Sequence, residues 1–207
     1  MSQIWYAAFS EDFVGQAQKI FKKLDKDVIV TVWDPELVPE MLRRGVSVIL
    51  GRGATALRIR KVVDLPVVEI PIPFEDMADT LIEASRYGRN IGVIGYNNLL
   101  SGLECLNPIL NVSIRQIFAV DENDTYHQIQ KLKNEGIDVI VGGLLQTHYA
   151  RELGLPAVRI ELTDKSLSYA CQEAEKLIAT VKAATRKAEE LKTILNTTNE
   201  KYVAVDI

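Results

Sequence analysis

The chain has 207 residues, of which 47% are hydrophobic and 25% charged. Its formal net charge is -4 at pH 7. This charge excludes a surface built to read nucleic acid, because such surfaces carry a basic excess. No stretch approaches the roughly 18 consecutive apolar residues of a membrane span, and the N-terminus lacks the basic and apolar regions of a signal peptide. The sequence therefore predicts a cytoplasmic globular protein, with no membrane partner and no direct nucleic-acid binding by this chain.

Short apolar segments rich in Val and Ile alternate with amphipathic segments along most of the chain. In chain order, the apolar segments cover residues 4–9, 28–33, 46–50, 67–70, 91–96, 114–120, 139–141 and 157–162. The segments between them, such as 12–24, 36–44, 75–87 and 125–135, place apolar side chains three and four positions apart, as helices do. Gly45, Gly88 and Gly136 stand where left-handed C-caps are expected. This alternation predicts a parallel sheet covered by helices.

Two segments of the chain recur in the same order. Residues 45–51 (GVSVILG) match residues 136–142 (GIDVIVG), and residues 65–70 (LPVVEI) match residues 155–160 (LPAVRI). The repeat predicts an internal duplication, with two similar doubly wound α/β lobes over residues 1–74 and 75–163. Because open parallel sheets bind ligands beyond the carboxyl ends of their strands, two facing lobes predict a small-molecule cleft between them.

The loop after the third strand carries the strongest ligand-binding signal. It contains Arg52, Gly53, Ala54 and Thr55. Its backbone N–H groups and the start of the next helix can face an anion, and the guanidinium suits a carboxylate. The glycine spacing of this loop, followed by the acidic residue Glu69, is also close to the fingerprint of dinucleotide-binding domains. That fingerprint normally stands in the first βα unit, whereas this loop belongs to the third βα unit of a small lobe. No cofactor is therefore predicted, and a purely structural tight turn stays open.

Polar residues at the ends of three other strands are expected to complete the site. They are Ser10 after the first strand, Tyr96 and Asn97 after the fifth, and Gly143, Gln146 and Thr147 after the seventh. Each alone fits an ordinary N-cap or turn. Together they predict orienting groups for a polar ligand, and with Arg52 they predict a small anionic organic acid.

The sequence offers no constellation for catalysis or metal binding. Cys105 and Cys171 fall far apart on helix-like segments, where reduced, packed thiols are expected, and His127 and His148 complete no metal cluster with them. Ser10 lacks the glycines of a nucleophile elbow. We predict no catalytic residue and no metal. A cofactor-free racemase or lyase on a duplicated α/β fold, or a dimerisation scaffold with a filled cleft, are the alternatives.

Residues 164–196 predict one long helix. Apolar residues form a heptad pattern along it, with Leu167, Ala174, Val181, Ala188 and Leu195 at one position and Ala170, Leu177, Ala184 and Leu191 at the other. The early part of the apolar stripe is wide enough to pack on a lobe. Beyond Val181 it narrows to a seam with charged flanks, which is typical of a two-stranded coiled coil. A homodimer through residues 181–195 is slightly favoured over one helix lying wholly on its own domain.

The ordered set of motifs resembles a known family. Residues 50–56 (LGRGATA), 65–70 (LPVVEI), 136–143 (GIDVIVGG) and 150–154 (ARELG) are similar to the N-terminal sensory domain of the propionate catabolism activators, PrpR. These are NtrC-like transcription activators that work with sigma-54. The resemblance implies a duplicated receptor domain ahead of an AAA+ ATPase and a helix-turn-helix domain. The inducer described for the family is 2-methylcitrate, a tricarboxylate, which agrees with the prediction of an anionic ligand at Arg52. Residues 197–207 are similar to the opening of a PAS domain, which some relatives carry.

Overall fold

The computed structural model describes residues 3–96 and 101–197. The first half contains β1 (Ile4–Ala8), α1 (Glu11–Lys23), β2 (Ile29–Val32), a 3-10 turn (Pro35–Leu37), α2 (Val38–Arg43), β3 (Val48–Gly51), α3 (Ala54–Arg60) and β4 (Val67–Glu69). The second half contains α4 (Phe74–Ala84), β5 (Asn90–Gly95), a 3-10 turn (Leu103–Leu106), α5 (Asn107–Leu110), β6 (Ser113–Phe118), α6 (Glu122–Asn134), β7 (Val139–Gly142), α7 (Leu144–Glu152) and β8 (Ala157–Arg159). The last element is α8 (Asp164–Thr197).

Each half builds its own four-stranded parallel sheet, and the two sheets have the same strand order. The orders are β2-β1-β3-β4 and β6-β5-β7-β8. Tyr6 on β1 pairs with Val30 and Leu50, and its counterpart Val93 on β5 pairs with strands β6 and β7 in the same way. Every residue of β1, β3 and β7 is buried, as the continuous apolar runs predict. The predicted fold of two similar doubly wound lobes with a long C-terminal helix is confirmed.

The helix that follows each sheet covers the other sheet. After β4 the chain crosses to the second lobe, where Met77 of α4 joins the core of β5 and β7. After β8 it crosses back, and Leu167 of α8 joins the core of β1 and β3. The two crossings, at residues 70–73 and 160–163, therefore link the lobes side by side. The sequence left open which lobe α8 contacts.

The second half of α8 extends away from the lobe that its first half covers. Lys26 Nζ lies 2.6 Å from Glu175 Oε1, and this pair ties the helix to the first lobe. From residue 179 to residue 196 every side chain is exposed. The exposed fractions of Val181, Leu191 and Leu195 are 51%, 54% and 57%. The described residues thus leave an apolar seam on this half of the helix uncovered.

The prediction of a left-handed C-cap holds for two of the three glycines and is wrong for Gly88. Gly45 and Gly136 have φ angles of +83° and +82°, whereas Gly88 is not among the residues with positive φ. A Cβ on Gly88 would lie 2.2 Å from the Cβ of Asp138. The Asp138 carboxylate accepts hydrogen bonds from the two backbone N–H groups that follow Gly88. Close approach to a carboxylate, rather than backbone handedness, explains the glycine.

The two cysteines have different environments. Cys171 lies on α8 and is buried, and burial raises the pKa of its thiol to about 11. Cys105 lies in the 3-10 turn at Leu103–Leu106 and is exposed, so the prediction of a packed thiol is wrong for Cys105.

Two further observations complete the description. None of the described helices combines the length and the apolar character that crossing a bilayer takes. The segment that resembles the opening of a PAS domain, residues 197–207, lies outside the described residues apart from the backbone of Thr197.

Candidate ligand-binding site

A cleft lies where the carboxyl ends of strands from both sheets meet. It contains about 800 Å³ of empty space, including solvent at its mouth. Its lining residues follow β1, β3 and β4 in the first lobe and β5, β7 and β8 in the second. They are Tyr6, Ala7, Phe9, Phe13, Arg52, Gly53, Ala54, Thr55, Ile72, Ile94, Gly95, Tyr96, Gly143, Leu144, Leu145, Gln146 and Ile160. This is the place where doubly wound sheets receive ligands.

The cleft brings together most of the residues that the sequence singled out. Seven of the ten line it, namely Arg52, Gly53, Ala54, Thr55, Tyr96, Gly143 and Gln146. Ser10 stands at the N-cap of α1, next to the lining residue Phe9. Thr147 is fully buried, and its hydroxyl lies 3.0 Å from two carbonyl oxygens in the first turn of α7. Asn97 lies outside the described residues. A ligand-binding role for all ten stays a prediction.

Arg52 reaches from the first lobe to the second crossing between the lobes. Its Nη1 lies 3.0 Å from the carbonyl oxygen of Glu161, and its Nη2 lies 3.3 Å from that of Ile160. Burial lowers the pKa of the guanidinium, while nearby Tyr6 and Glu161 raise it. The group stays charged, since an arginine is not deprotonated in proteins. A guanidinium has five N–H donors, and those of Nη1 and Nη2 that face these carbonyl groups are the ones that a ligand carboxylate would compete for.

Gly53 makes the turn that leads from Arg52 into α3. It has φ +52° and ψ -125° at the N-cap, a conformation that glycine adopts without strain. Before it, Gly51 packs directly against the helix, because a Cβ there would lie 3.0 Å from the Cα of Ala56. With its seven residues, α3 is less than two turns long. The prediction of an anionic ligand at this loop therefore depends on the charge of Arg52 and not on the helix dipole.

The side-chain Nε2 of Gln146 is buried and has no hydrogen-bond partner among the described residues. The residue is 3% exposed, and its Nε2 forms no hydrogen bond within the described part of the chain. A Cβ on Gly142 would lie 2.5 Å from the Gln146 Cβ, so this glycine makes room for the side chain. Leaving a buried donor unsatisfied costs about 1–3 kcal/mol. Since Gln146 lines the cleft, a molecule in the cleft can satisfy it.

Tyr6 is a lining residue that the sequence interpretation missed. Its side chain is buried in the core of the first lobe and meets Phe21 edge to face, with ring centroids 5.9 Å apart. Burial raises the pKa of its hydroxyl to about 12, with Arg52 acting in the opposite direction. The hydroxyl therefore keeps its proton at neutral pH. A tyrosine in the middle of an apolar strand gave no signal beyond that of a core residue.

The rest of the wall is mainly apolar and comes from both lobes. Its large side chains are those of Phe9, Phe13, Ile72, Ile94, Leu144, Leu145 and Ile160. Tyr96 also lines the cleft, but its hydroxyl lies 3.2 Å from Thr125 Oγ1, and burial raises its pKa. A mostly apolar wall with a few convergent polar groups is typical of small-molecule sites. Across residues 3–96 and 101–197, no cluster of His, Cys, Asp or Glu could hold a metal ion.

This architecture defines a class of protein: two-lobed α/β domains with a cleft between the lobes. The family model described as propionate catabolism activator matches residues 34–184, and the chain belongs to this family. The resemblance noted in the sequence is thus confirmed.

One of the solved structures similar to this chain agrees with this assignment. An NtrC family transcriptional regulator from Clostridium acetobutylicum is 25% identical, with a TM-score of 0.71, covering 86% of this chain and 96% of that chain. A Lac repressor bound to ONPG has 14% identity and a TM-score of 0.34, covering 73% of this chain and 61% of that one. A periplasmic solute binding protein from Actinobacillus succinogenes with bound D-allose has 14% identity and a TM-score of 0.36, covering 86% of this chain and 90% of that chain. The last two TM-scores are too low to carry an argument. The family and the first structure support a regulatory sensory domain of a transcription activator.

Proposed function

We propose that this chain is the ligand-sensing domain of a cytoplasmic, sigma-54-dependent transcription activator. It binds a small organic acid between its lobes and thereby controls a downstream AAA+ ATPase. The observation that carries this proposal is a cleft lined by a cation of one lobe, Arg52, and by a buried amide of the other, Gln146, whose Nε2 has no partner in the part of the chain that the structure describes. DNA binding and ATP hydrolysis belong to other domains of the full-length protein.

The two crossings between the lobes act as the hinge in this proposal. They are tied to each other, because Thr163 Oγ1 donates to Asp76 Oδ2 at 2.5 Å and Lys165 Nζ lies 2.9 Å from Glu75 Oε1. A ligand that contacts both lobes favours their closed arrangement. It shifts the population only through unequal affinity for the two states, and a difference of about 1.4 kcal/mol changes their ratio tenfold.

Arg52 connects the cleft to α8. The carbonyl groups that it holds belong to Ile160 and Glu161, and α8 begins shortly after them at Asp164. A carboxylate bound to Arg52 competes with these carbonyl groups. The second crossing is then free to move with α8, and the exposed half of the helix carries the change towards the rest of the protein.

The exposed half of α8 is proposed to pair with a second copy of the chain. Its apolar seam over residues 181–195 has the heptad spacing of a two-stranded coiled coil, and no part of the described chain covers it. A dimer gives the helix a fixed partner against which a shift or rotation is transmitted.

The two alternative functions have less support. An enzyme of the racemase type needs a thiol in the cleft, yet none of the described lining residues is a cysteine. A scaffold with a filled cleft does not agree with the empty space between the lobes.

A thermal-shift screen of the purified chain against organic acids tests the proposed function. A ligand at about 100 times its dissociation constant adds about 2.7 kcal/mol to the stability of the folded state. At least one acid is expected to raise the melting temperature of the wild-type chain but not that of Arg52→Ala. If no acid stabilises the wild-type chain, the sensing function is wrong.

A further inference from the structure

We propose that the ligand of this cleft is a monocarboxylate with an apolar body and one neutral hydrogen-bond acceptor, and not a di- or tricarboxylate. The inference rests on the proposed sensing function and concerns the same cleft. Of the 17 lining residues within the described part of the chain, Arg52 alone carries a formal charge. Residues 97–100, outside that part, read Asn-Asn-Leu-Leu and add no charge wherever they lie. One cation pairs one carboxylate.

The charges around Arg52 largely cancel each other. Glu161 and Asp76 lie close enough to raise its pKa. Arg159 is a second cation nearby, with its guanidinium 5.5 Å from the centroid of the Phe13 ring. However, its Nε and Nη2 lie 2.8 and 2.9 Å from the two carboxylate oxygens of Glu161, so its charge is already paired. Among the described residues around Arg52, a second carboxylate of a ligand therefore meets no unpaired cation.

The second lobe offers hydrogen-bond donors without a charge. Gln146 Nε2 is buried, and no group in residues 3–96 and 101–197 accepts a hydrogen bond from it. The side chain stands in the first turn of α7, a nine-residue helix whose first N–H groups have no intrahelical acceptor. Neutral donors of this kind match a hydroxyl, carbonyl or amide oxygen. The first lobe thus recognises the anion and the second lobe recognises an uncharged acceptor.

Between these polar ends, the wall of the cleft is apolar and matches a hydrocarbon part of a ligand better than further oxygen atoms. Phe9, Phe13 and Ile72 line it from the first half of the chain, and Ile94 and Leu144 from the second. Apolar surface buried against such a wall adds to the affinity. A tricarboxylate, the kind of inducer that the family resemblance implies, would instead bury carboxylates without partners, which is costly.

Calorimetric titration of the complete chain with four six-carbon acids tests the inference, since the acids differ mainly in charge. They are hexanoate, 2-hydroxyhexanoate, adipate and citrate. We expect 2-hydroxyhexanoate to bind most tightly and hexanoate next, with adipate and citrate weaker than hexanoate by about tenfold or more, because each added carboxylate lacks a cation. In Gln146→Met the advantage of the hydroxyl acid over hexanoate should disappear, while hexanoate binds as before.

A variant with an added cation provides the matched comparison. Leu145→Lys introduces a positive charge on the wall of the second lobe, and the ratio of the two dissociation constants should shift by about tenfold in favour of adipate over hexanoate. If the wild-type chain binds adipate or citrate more tightly than both monocarboxylates, the inference is wrong and the sensing function stands. If none of the four acids binds, the inference is wrong, and the thermal-shift screen against other acids decides whether the sensing function stands.

Discussion

In the proposed function, recognition of an acid depends most on Arg52. We expect Arg52→Ala to weaken the binding of an acidic ligand by about 1.5–3 kcal/mol, because a charge-assisted hydrogen bond is lost. Calorimetry with an acid identified by the thermal-shift screen measures the change. Arg60→Ala is the matched control, since Arg60 lies on α3 and pairs with Glu69 at 2.9 Å without lining the cleft. Equal affinities of Arg52→Ala and the wild-type chain would contradict the role of Arg52.

Gln146 gives a prediction in which stability and binding change in opposite directions. Gln146→Met removes a buried, unsatisfied amide, so the free energy of unfolding without ligand should rise by about 1 kcal/mol. The same substitution should weaken a ligand that carries a neutral acceptor. Chemical denaturation and calorimetry measure the two effects, with the exposed Gln130→Met on α6 as the control. A drop in stability without ligand would show that the amide has a partner in the folded chain.

At the scale of single residues, the sequence predicts the charged loop better than the wall. The loop around Arg52 stands out because glycines, a cation and a hydroxyl residue directly follow a buried strand. Tyr6 does not stand out, since a pattern of apolar residues does not tell a core position from one at the rim of a cleft. The sequence predicts that Thr147 faces the cleft, but its hydroxyl instead bonds within its own helix. The sequence pattern cannot tell these two orientations of a hydroxyl near a strand end apart.

At the scale of elements, the turn from β3 into α3 depends on the positive φ of Gly53. Gly53→Ala should lower the free energy of unfolding by about 1–3 kcal/mol, since a side chain there strains the backbone. Gly15→Ala is the matched control, because Gly15 lies inside α1 and a Cβ added there would have no atom within 4 Å. That substitution should raise stability by about 0.5–1 kcal/mol. Denaturant titrations measure both, and similar effects of the two would contradict this account of Gly53.

The exposed half of α8 gives a prediction about assembly. Leu191→Lys places a charge in the apolar seam, and sedimentation equilibrium should show a shift from dimer to monomer relative to the wild-type chain. Lys192→Ala changes the next residue, which flanks the seam, and should leave the dimer in place. A wild-type chain that is monomeric at all concentrations tested would contradict the coiled-coil proposal.

The strands and helices follow from the sequence, whereas the choice of partner for two helices does not. Strands apolar on both faces and helices with one apolar face are visible as patterns, and so is the repeat that yields two sheets of the same order. An amphipathic pattern shows that one face of α4 or α8 is buried, but not against which sheet. The exchange of these helices between the lobes is decided by the path of the chain at the two crossings, which periodicity does not encode.

At the scale of the whole molecule, we propose that the two lobes move about two neighbouring crossings. Arg52 links the cleft to one crossing through the carbonyl groups of Ile160 and Glu161. The ion pair of Lys165 with Glu75 and the hydrogen bond of Thr163 to Asp76 link the two crossings to each other. A change of lobe separation must therefore alter the direction in which α8 leaves the domain.

A distance measurement across the cleft tests this closure most directly. Glu11→Cys at the start of α1 and His148→Cys on α7 provide exposed labelling sites in the two lobes. Cys105 is exposed and is replaced by serine, while Cys171 is buried and can stay. With a saturating acid, pulsed electron spin resonance should show the distance between the two spin labels shifting to shorter values, and Arg52→Ala should show no shift. An identical distance distribution with and without a bound acid would contradict the closure of the two lobes around a ligand.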